Sequence, residues 1–124
     1  SSTMIIKKKI ILIQDNETIL QLLHQVLEEE GYDVTASLTI EPIENILMID
    51  PDIIIIDDHI KGKLTGSQII KRLKSNTVTN KIPAILSSTS NNIVQEAIMC
   101  DADGLIEKPF EIEDVLMVVK KKYD

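Results

Sequence analysis

Ile53, Ile54, Ile55 and Ile56 form an unbroken β-branched run that ends in Asp57. A strand apolar on both faces has no side left for water, so it belongs inside a parallel sheet covered by helices above and below. Its final acid then reaches the carboxyl edge of the sheet, the edge where α/β folds bind ligands. Three residues at the ends of other predicted strands join it there. They are Asp15 after the run Ile10 to Gln14, Ser88 after Ala84 to Ser87, and Lys108 before Pro109. A phosphate-sized pocket lined by two carboxylates, a hydroxyl and a cation is the expectation.

The rest of the chain supports that frame. Short segments rich in β-branched residues alternate with longer segments of helical period, which predicts a parallel sheet between two helical layers. The first strand is read as Lys9 to Gln14, followed by a helix with Asn16 as N-cap, Ile19, Leu22, Leu23, Val26 and Leu27 inward, and Gly31 as its stop. Tyr32 to Ser37 is strand two. Pro42 opens a helix carrying Ile43, Ile46 and Leu47, and Pro51 ends it. Strand three is Asp52 to Asp57. The loop Lys61 to Gly66 leads into a helix with Ile69, Ile70 and Leu73 inward and Lys71, Arg72 and Lys74 facing water. Strand four runs from Ile82 to Ser87 or Ser88, and a weak helix follows with Ile93, Val94, Ala97 and Ile98. A short strand near Gly104 to Glu107 precedes a last helix with Ile112, Val115, Leu116 and Val119.

Length and charge narrow the function classes. A chain of 124 residues suits one domain with one core. Ser1, Ser2 and Thr3 precede Met4 and are read as a cloning remnant, leaving 4–124 as the domain. Acids outnumber bases by 20 to 13, for a formal charge of -7, which argues against direct nucleic-acid binding. With one cysteine, no signal peptide and no apolar run of about 18 residues, a cytoplasmic protein that avoids membranes is expected.

An aspartate attacks phosphorus poorly unless a cation screens the phosphoryl oxygens from its own charge. Mg²⁺ suits that task, since it takes oxygen ligands and commonly one or two carboxylates. Asp15 and Asp57 could supply those. Lys108 would place an ammonium on another phosphoryl oxygen, and Ser88 could donate a hydrogen bond to it.

Four stretches together resemble the receiver domain of bacterial two-component response regulators, over Lys8 to Lys122. They are Ile-Leu-Ile-Gln-Asp-Asn-Glu (11 to 17), Pro-Asp-Ile-Ile-Ile-Ile-Asp (51 to 57), Ile-Pro-Ala-Ile-Leu-Ser-Ser (82 to 88) and Asp-Ala-Asp-Gly-Leu-Ile-Glu-Lys-Pro-Phe (101 to 110). The resemblance implies a flavodoxin-like three-layer fold with strand order 2-1-3-4-5, an order carried over with the family. It implies that Asp57 is the phosphoacceptor, served by a histidine kinase or a phosphotransfer protein. Asp15, Asp57 and the backbone carbonyl of His59 would hold Mg²⁺, and Lys108 would pair with the phosphoryl group. The Ser88 hydroxyl would move toward the new phosphate and remodel the face of the fourth helix, fifth strand and fifth helix. That face would then engage a downstream protein or output domain, or a second copy in a phosphorylation-dependent homodimer.

The chain departs from the family pattern at four places. Gln14 replaces the first of two adjacent acids, so weaker Mg²⁺ binding is expected, with the amide oxygen holding a metal-bound water. Leu105 stands in the place of a switching aromatic. Ser88 to Lys108 is about two residues shorter than usual, which puts the fourth helix and the output face in question, whereas Lys61, in place of the common proline, carries little weight.

Blander readings compete at each position. Asp15 suits a helix N-terminus, Ser88 a helix cap, and Lys108 the surface, although Lys-Pro-Phe implies a peptide fixed in one isomer, cis being the candidate. Asp58 is assigned to solvent or local hydrogen bonds, His24 to the surface and Cys100 to the core. Lys120, Lys121 and Lys122 suit the end of a helix. The leading reading is a switch rather than an enzyme, one that catalyses only its own phosphorylation and dephosphorylation. Its rivals are a pseudo-receiver that binds a partner constitutively and, more remotely, a Mg²⁺-dependent phosphatase.

Overall fold

A computed structural model describes residues 6–123. The strands are β1 (Lys9–Ile13), β2 (Asp33–Ser37), β3 (Ile53–Asp57), β4 (Ala84–Ser88) and β5 (Gly104–Glu107). Between and after them lie α1 (Glu17–Glu29), α2 (Ile43–Ile49), α3 (Gly66–Ser75), α4 (Ile93–Met99) and α5 (Ile112–Tyr123). All strand pairs are parallel, in the order β2-β1-β3-β4-β5. The expected flavodoxin-like order is therefore the observed one.

The central strand is buried at every residue, and alternate isoleucines feed opposite layers. Ile54 and Ile56 pack with Ile69, Ile70 and Leu73 of α3, while Ile53 and Ile55 pack with Leu20, Leu23 and Leu27 of α1 and Val115 and Val119 of α5. Each isoleucine removed from water contributes about 1.5–3 kcal/mol, so the run alone forces both helical layers.

Local signals explain where the helices start and stop. The Asn16 side chain accepts from Ile19 N at 3.1 Å and begins α1. Gly31, at φ 95, reverses the chain so that its N–H returns to Glu28 O, as expected of a C-terminal stop. Thr65 and Gln68 close a capping box at the start of α3.

Several side chains differ from the sequence reading. In α1 the buried stripe includes Leu20, whereas Leu22 is 47% exposed. Only Ile46 of α2 is buried, and Ile43 and Leu47 face outward. Both helices carry more apolar residues than one face can hold, so periodicity alone left their phase open. Lys74 does not face water. Its Nζ donates to Asn80 O and Ile82 O at 3.1 and 2.9 Å and pairs with Asp103, tying the end of α3 to the entry of β4. His24 is half-buried, with Nε2 3.2 Å from Val34 O, and so links α1 to β2. Cys100 is core, as expected.

Candidate functional site

The order of strands brings the carboxyl ends of β1, β3, β4 and β5 to one edge, with β3 at the centre. Asp57 is the last residue of β3 and is 1% exposed. A carboxylate so deep needs donors, because its charge has lost most of its water. Three are present. Lys108 Nζ and Ser87 Oγ each donate to Asp57 Oδ1 at 2.9 Å, and His59 N donates to Oδ2 at 3.0 Å.

Each donor is placed by the backbone. β3 and β4 run in register with Asp57 abreast of Ser87, so their side chains leave the sheet on the same side. Lys108 follows directly on β5, its N–H donates to Ser88 O at 2.9 Å, and its bond to Pro109 is cis, as the sequence motif led one to expect. The Lys108 side chain is 15% exposed, against 1% for the Asp57 side chain it pairs with. His59 sits at the turn leaving β3, and its side chain is exposed.

The loop behind the site is held by hydrogen bonds and by close packing. Asp58 Oδ1 accepts from Ser67 N and its carbonyl accepts from Gly66 N, both at 3.0 Å, which is the local hydrogen bonding assigned to it. Gly66 passes so close to β3 that a Cβ there would collide with the Asp57 carbonyl. Only glycine lets α3 begin beside the acceptor strand.

Gln14 leaves β1 next to β3, one residue beyond the paired Ile13 and Ile56, and is 2% exposed. Its Oε1 accepts from Asn16 N at 3.2 Å, so one acceptor position of the amide is already used. Asp15 follows and is exposed at the same edge, ahead of α1. Among the described residues no group of three His, Cys, Asp or Glu side chains is arranged to hold a metal. Two carboxylates with backbone and amide oxygens remain, a hard-oxygen set of the kind Mg²⁺ accepts and Zn²⁺ does not favour.

Ser88 lies in the same wall, 3% exposed, but its Oγ accepts from Ser90 N at 3.0 Å instead of reaching Asp57. The hydroxyl that touches Asp57 belongs to Ser87, which the sequence reading passed over. Strand register would have identified it, since residues abreast on neighbouring parallel strands share a face. Leu105 is half-buried against the α3 and α4 layer.

Residues 10–120 match the response regulator receiver domain family. Sporulation initiation phosphotransferase F of Bacillus subtilis is 27% identical, over 92% of this chain and 92% of its own length. The nitrate/nitrite response regulator protein homolog of Haemophilus influenzae is 30% identical over 93% of this chain, which spans only 56% of that relative. A putative response regulator from Chloroflexus aurantiacus shares the fold with a TM-score of 0.84 at 23% identity, covering 94% of this chain and 97% of its own. Vibrio cholerae chemotaxis protein CheY4 does so with a TM-score of 0.78 at 22% identity, covering 94% and 98%. With the strand order, the buried acid at the end of β3 and the family match over nearly its whole length, the chain belongs to the response regulator receiver domain family.

Proposed function

We propose that Asp57 accepts a phosphoryl group from the phosphohistidine of a histidine kinase or phosphotransfer protein, and that the protein acts as a cytoplasmic switch rather than as an enzyme on external substrates. The observation that carries this reading is the Lys108 ammonium 2.9 Å from Oδ1 of a carboxylate that is otherwise sealed from water. In that position a cation can follow charge from the carboxylate to an incoming phosphoryl oxygen without crossing solvent. Asp15, Asp57 and the His59 carbonyl would hold Mg²⁺, with Gln14 contributing through a water. When bound, the ion screens the phosphoryl oxygens from the attacking carboxylate.

Phosphorylation adds charge where Ser88 and Lys108 meet, at the junction of β4 and β5. The Ser88 hydroxyl would leave Ser90 N for a phosphoryl oxygen, drawing the start of α4 with it. Val94 and Ile98 of α4 are 53% and 69% exposed, and Met117 of α5 is 70% exposed, an apolar surface suited to a protein partner or output domain, or to a second copy on phosphorylation.

The test mixes the protein with Mg²⁺ and acetyl phosphate and follows mass. One base-labile phosphoryl group on wild type and none on Asp57→Asn is expected. Absence of uptake by wild type overturns the reading in favour of a constitutive binding module. Sustained release of phosphate from varied monoesters would point instead to a phosphatase.

A further inference from the structure

Asp57 Oδ1 is unusual in being fully engaged. A carboxylate oxygen has two in-plane acceptor positions. Lys108 Nζ and Ser87 Oγ occupy both on Oδ1, while His59 N takes one on Oδ2. The position left on Oδ2 is the one open to a cation, so Oδ1 is the oxygen that must attack phosphorus. Lys108 can leave with the phosphoryl oxygens. Ser87 is anchored in β4, 5% exposed, directly abreast of Asp57, and its hydroxyl is aimed at the oxygen that has to react.

We infer that Ser87 is a positioning residue that restrains phosphorylation by holding the Asp57 nucleophile in its resting state. The bond is strongest when Oδ1 carries a full share of the carboxylate charge. As the Oδ1–P bond forms, the bond from phosphorus to the leaving group breaks, P–N in phosphohistidine and P–O in acetyl phosphate, and its electron pair departs with that group. Oδ1 becomes the bridging oxygen of an acyl phosphate and a poor acceptor. The Ser87 proton stays on Oγ throughout. An interaction stronger in the ground state than in the transition state slows the step. Ser87 therefore differs in role from Ser88, whose hydroxyl is committed to Ser90 N and whose carbonyl holds Lys108 N.

This inference rests on the phosphoacceptor reading, and its test separates the two. Initial rates of phosphoryl uptake from acetyl phosphate are measured over a range of donor concentrations for wild type, Ser87→Ala and Ser87→Thr, with Mg²⁺ saturating. Loss of one charge-assisted hydrogen bond is expected to raise the maximal rate of Ser87→Ala about fivefold. The half-saturating donor concentration should stay unchanged, because Ser87 touches Asp57 and not the donor. Ser87→Thr keeps the hydroxyl and should remain at or below the wild-type rate. A merely structural role for Ser87 would lower the Ser87→Ala rate or leave it alone. Either result, with wild type active, overturns the restraint and leaves the phosphoacceptor intact, and so does a Ser87→Thr rate as high as that of Ser87→Ala. No uptake by any of the three chains overturns both.

Discussion

Lys108 and Asp57 stand 51 residues apart in the chain, yet the ammonium of one donates to Oδ1 of the other at 2.9 Å. The pair joins β3 to the end of β5 across β4, so it couples the centre of the sheet to its edge. Its stabilisation is conditional. Among the described residues, removing the cation leaves a carboxylate that is 1% exposed with two neutral donors, Ser87 and His59.

Lys108→Met should therefore destabilise the fold by about 3 kcal/mol, the usual scale for stranding one partner of a buried pair. Asp57→Asn in the same chain should recover most of that loss, because no charge is then left alone. Urea unfolding of the two single variants and the double variant measures the coupling. Additive losses would show that the two residues do not depend on one another.

Gly66→Ala tests how the loop supports the site. The added Cβ would sit against the Asp57 carbonyl carbon at 2.8 Å and Ile56 Cγ2 at 2.9 Å. Neither atom can yield without moving β3, so the start of α3 must retreat. A loss of about 1–3 kcal/mol is expected, with slower phosphoryl uptake at Asp57. A variant with wild-type stability would mean that α3 shifts freely.

Much of this arrangement was legible in advance. An all-isoleucine strand ending in acid fixes the middle of the sheet and its functional edge, because no other placement hides both faces. Lys108 was legible for a similar reason, lying between a short strand and a proline. The hydroxyl that meets Asp57 in the resting site was not. Ser87 and Ser88 are adjacent and chemically identical, and what distinguishes them is the rung of β4 that lies opposite Asp57. Lys74 escaped for a comparable reason. Its partners are the carbonyls of Asn80 and Ile82 and the side chain of Asp103, so nothing in the helical period of α3 marks it.

Lys74→Met keeps the aliphatic stem but removes those bonds. Asp103 Oδ2 also accepts from Ala84 N at 2.8 Å, so the lysine braces the first residue of β4 through a shared partner. The expected loss is about 2 kcal/mol, more than a surface ion pair provides, because the lysine side chain is only 11% exposed and two carbonyls lose their donor. Equal urea midpoints for Lys74→Met and wild type would return this residue to the solvent-facing role read from the sequence.

Cys100 makes a prediction in pH. Burial pushes its thiol above the ordinary value of 9.0, an effect its backbone hydrogen bonds only partly offset. A raised value in the fold favours the protonated thiol there, so the contribution to stability is complete below pH 9.0 and is lost as pH climbs from there through the folded value. Between those two values the stability of wild type relative to Cys100→Ala should fall with rising pH. A constant difference between the two chains across that range would exclude the effect.

Gln14→Asp addresses the cation directly. The native amide is buried at the edge of β1 beside β3, with its oxygen partly committed to Asn16 N. A carboxylate in its place would face a divalent ion with an attraction of about 8 kcal/mol at 4 Å and an effective dielectric near 20, most of it cancelled by lost hydration. The small remainder still favours the acid, so Gln14→Asp should bind Mg²⁺ roughly tenfold more tightly, about 1.4 kcal/mol. The added charge also lies near Asp57, so the substitution should lower stability in the absence of the ion and recover it as Mg²⁺ is added. A titration monitored by unfolding midpoint reads both effects at once. Equal Mg²⁺ dependence in the two chains would show that the position left by the missing acid takes no part in holding the ion.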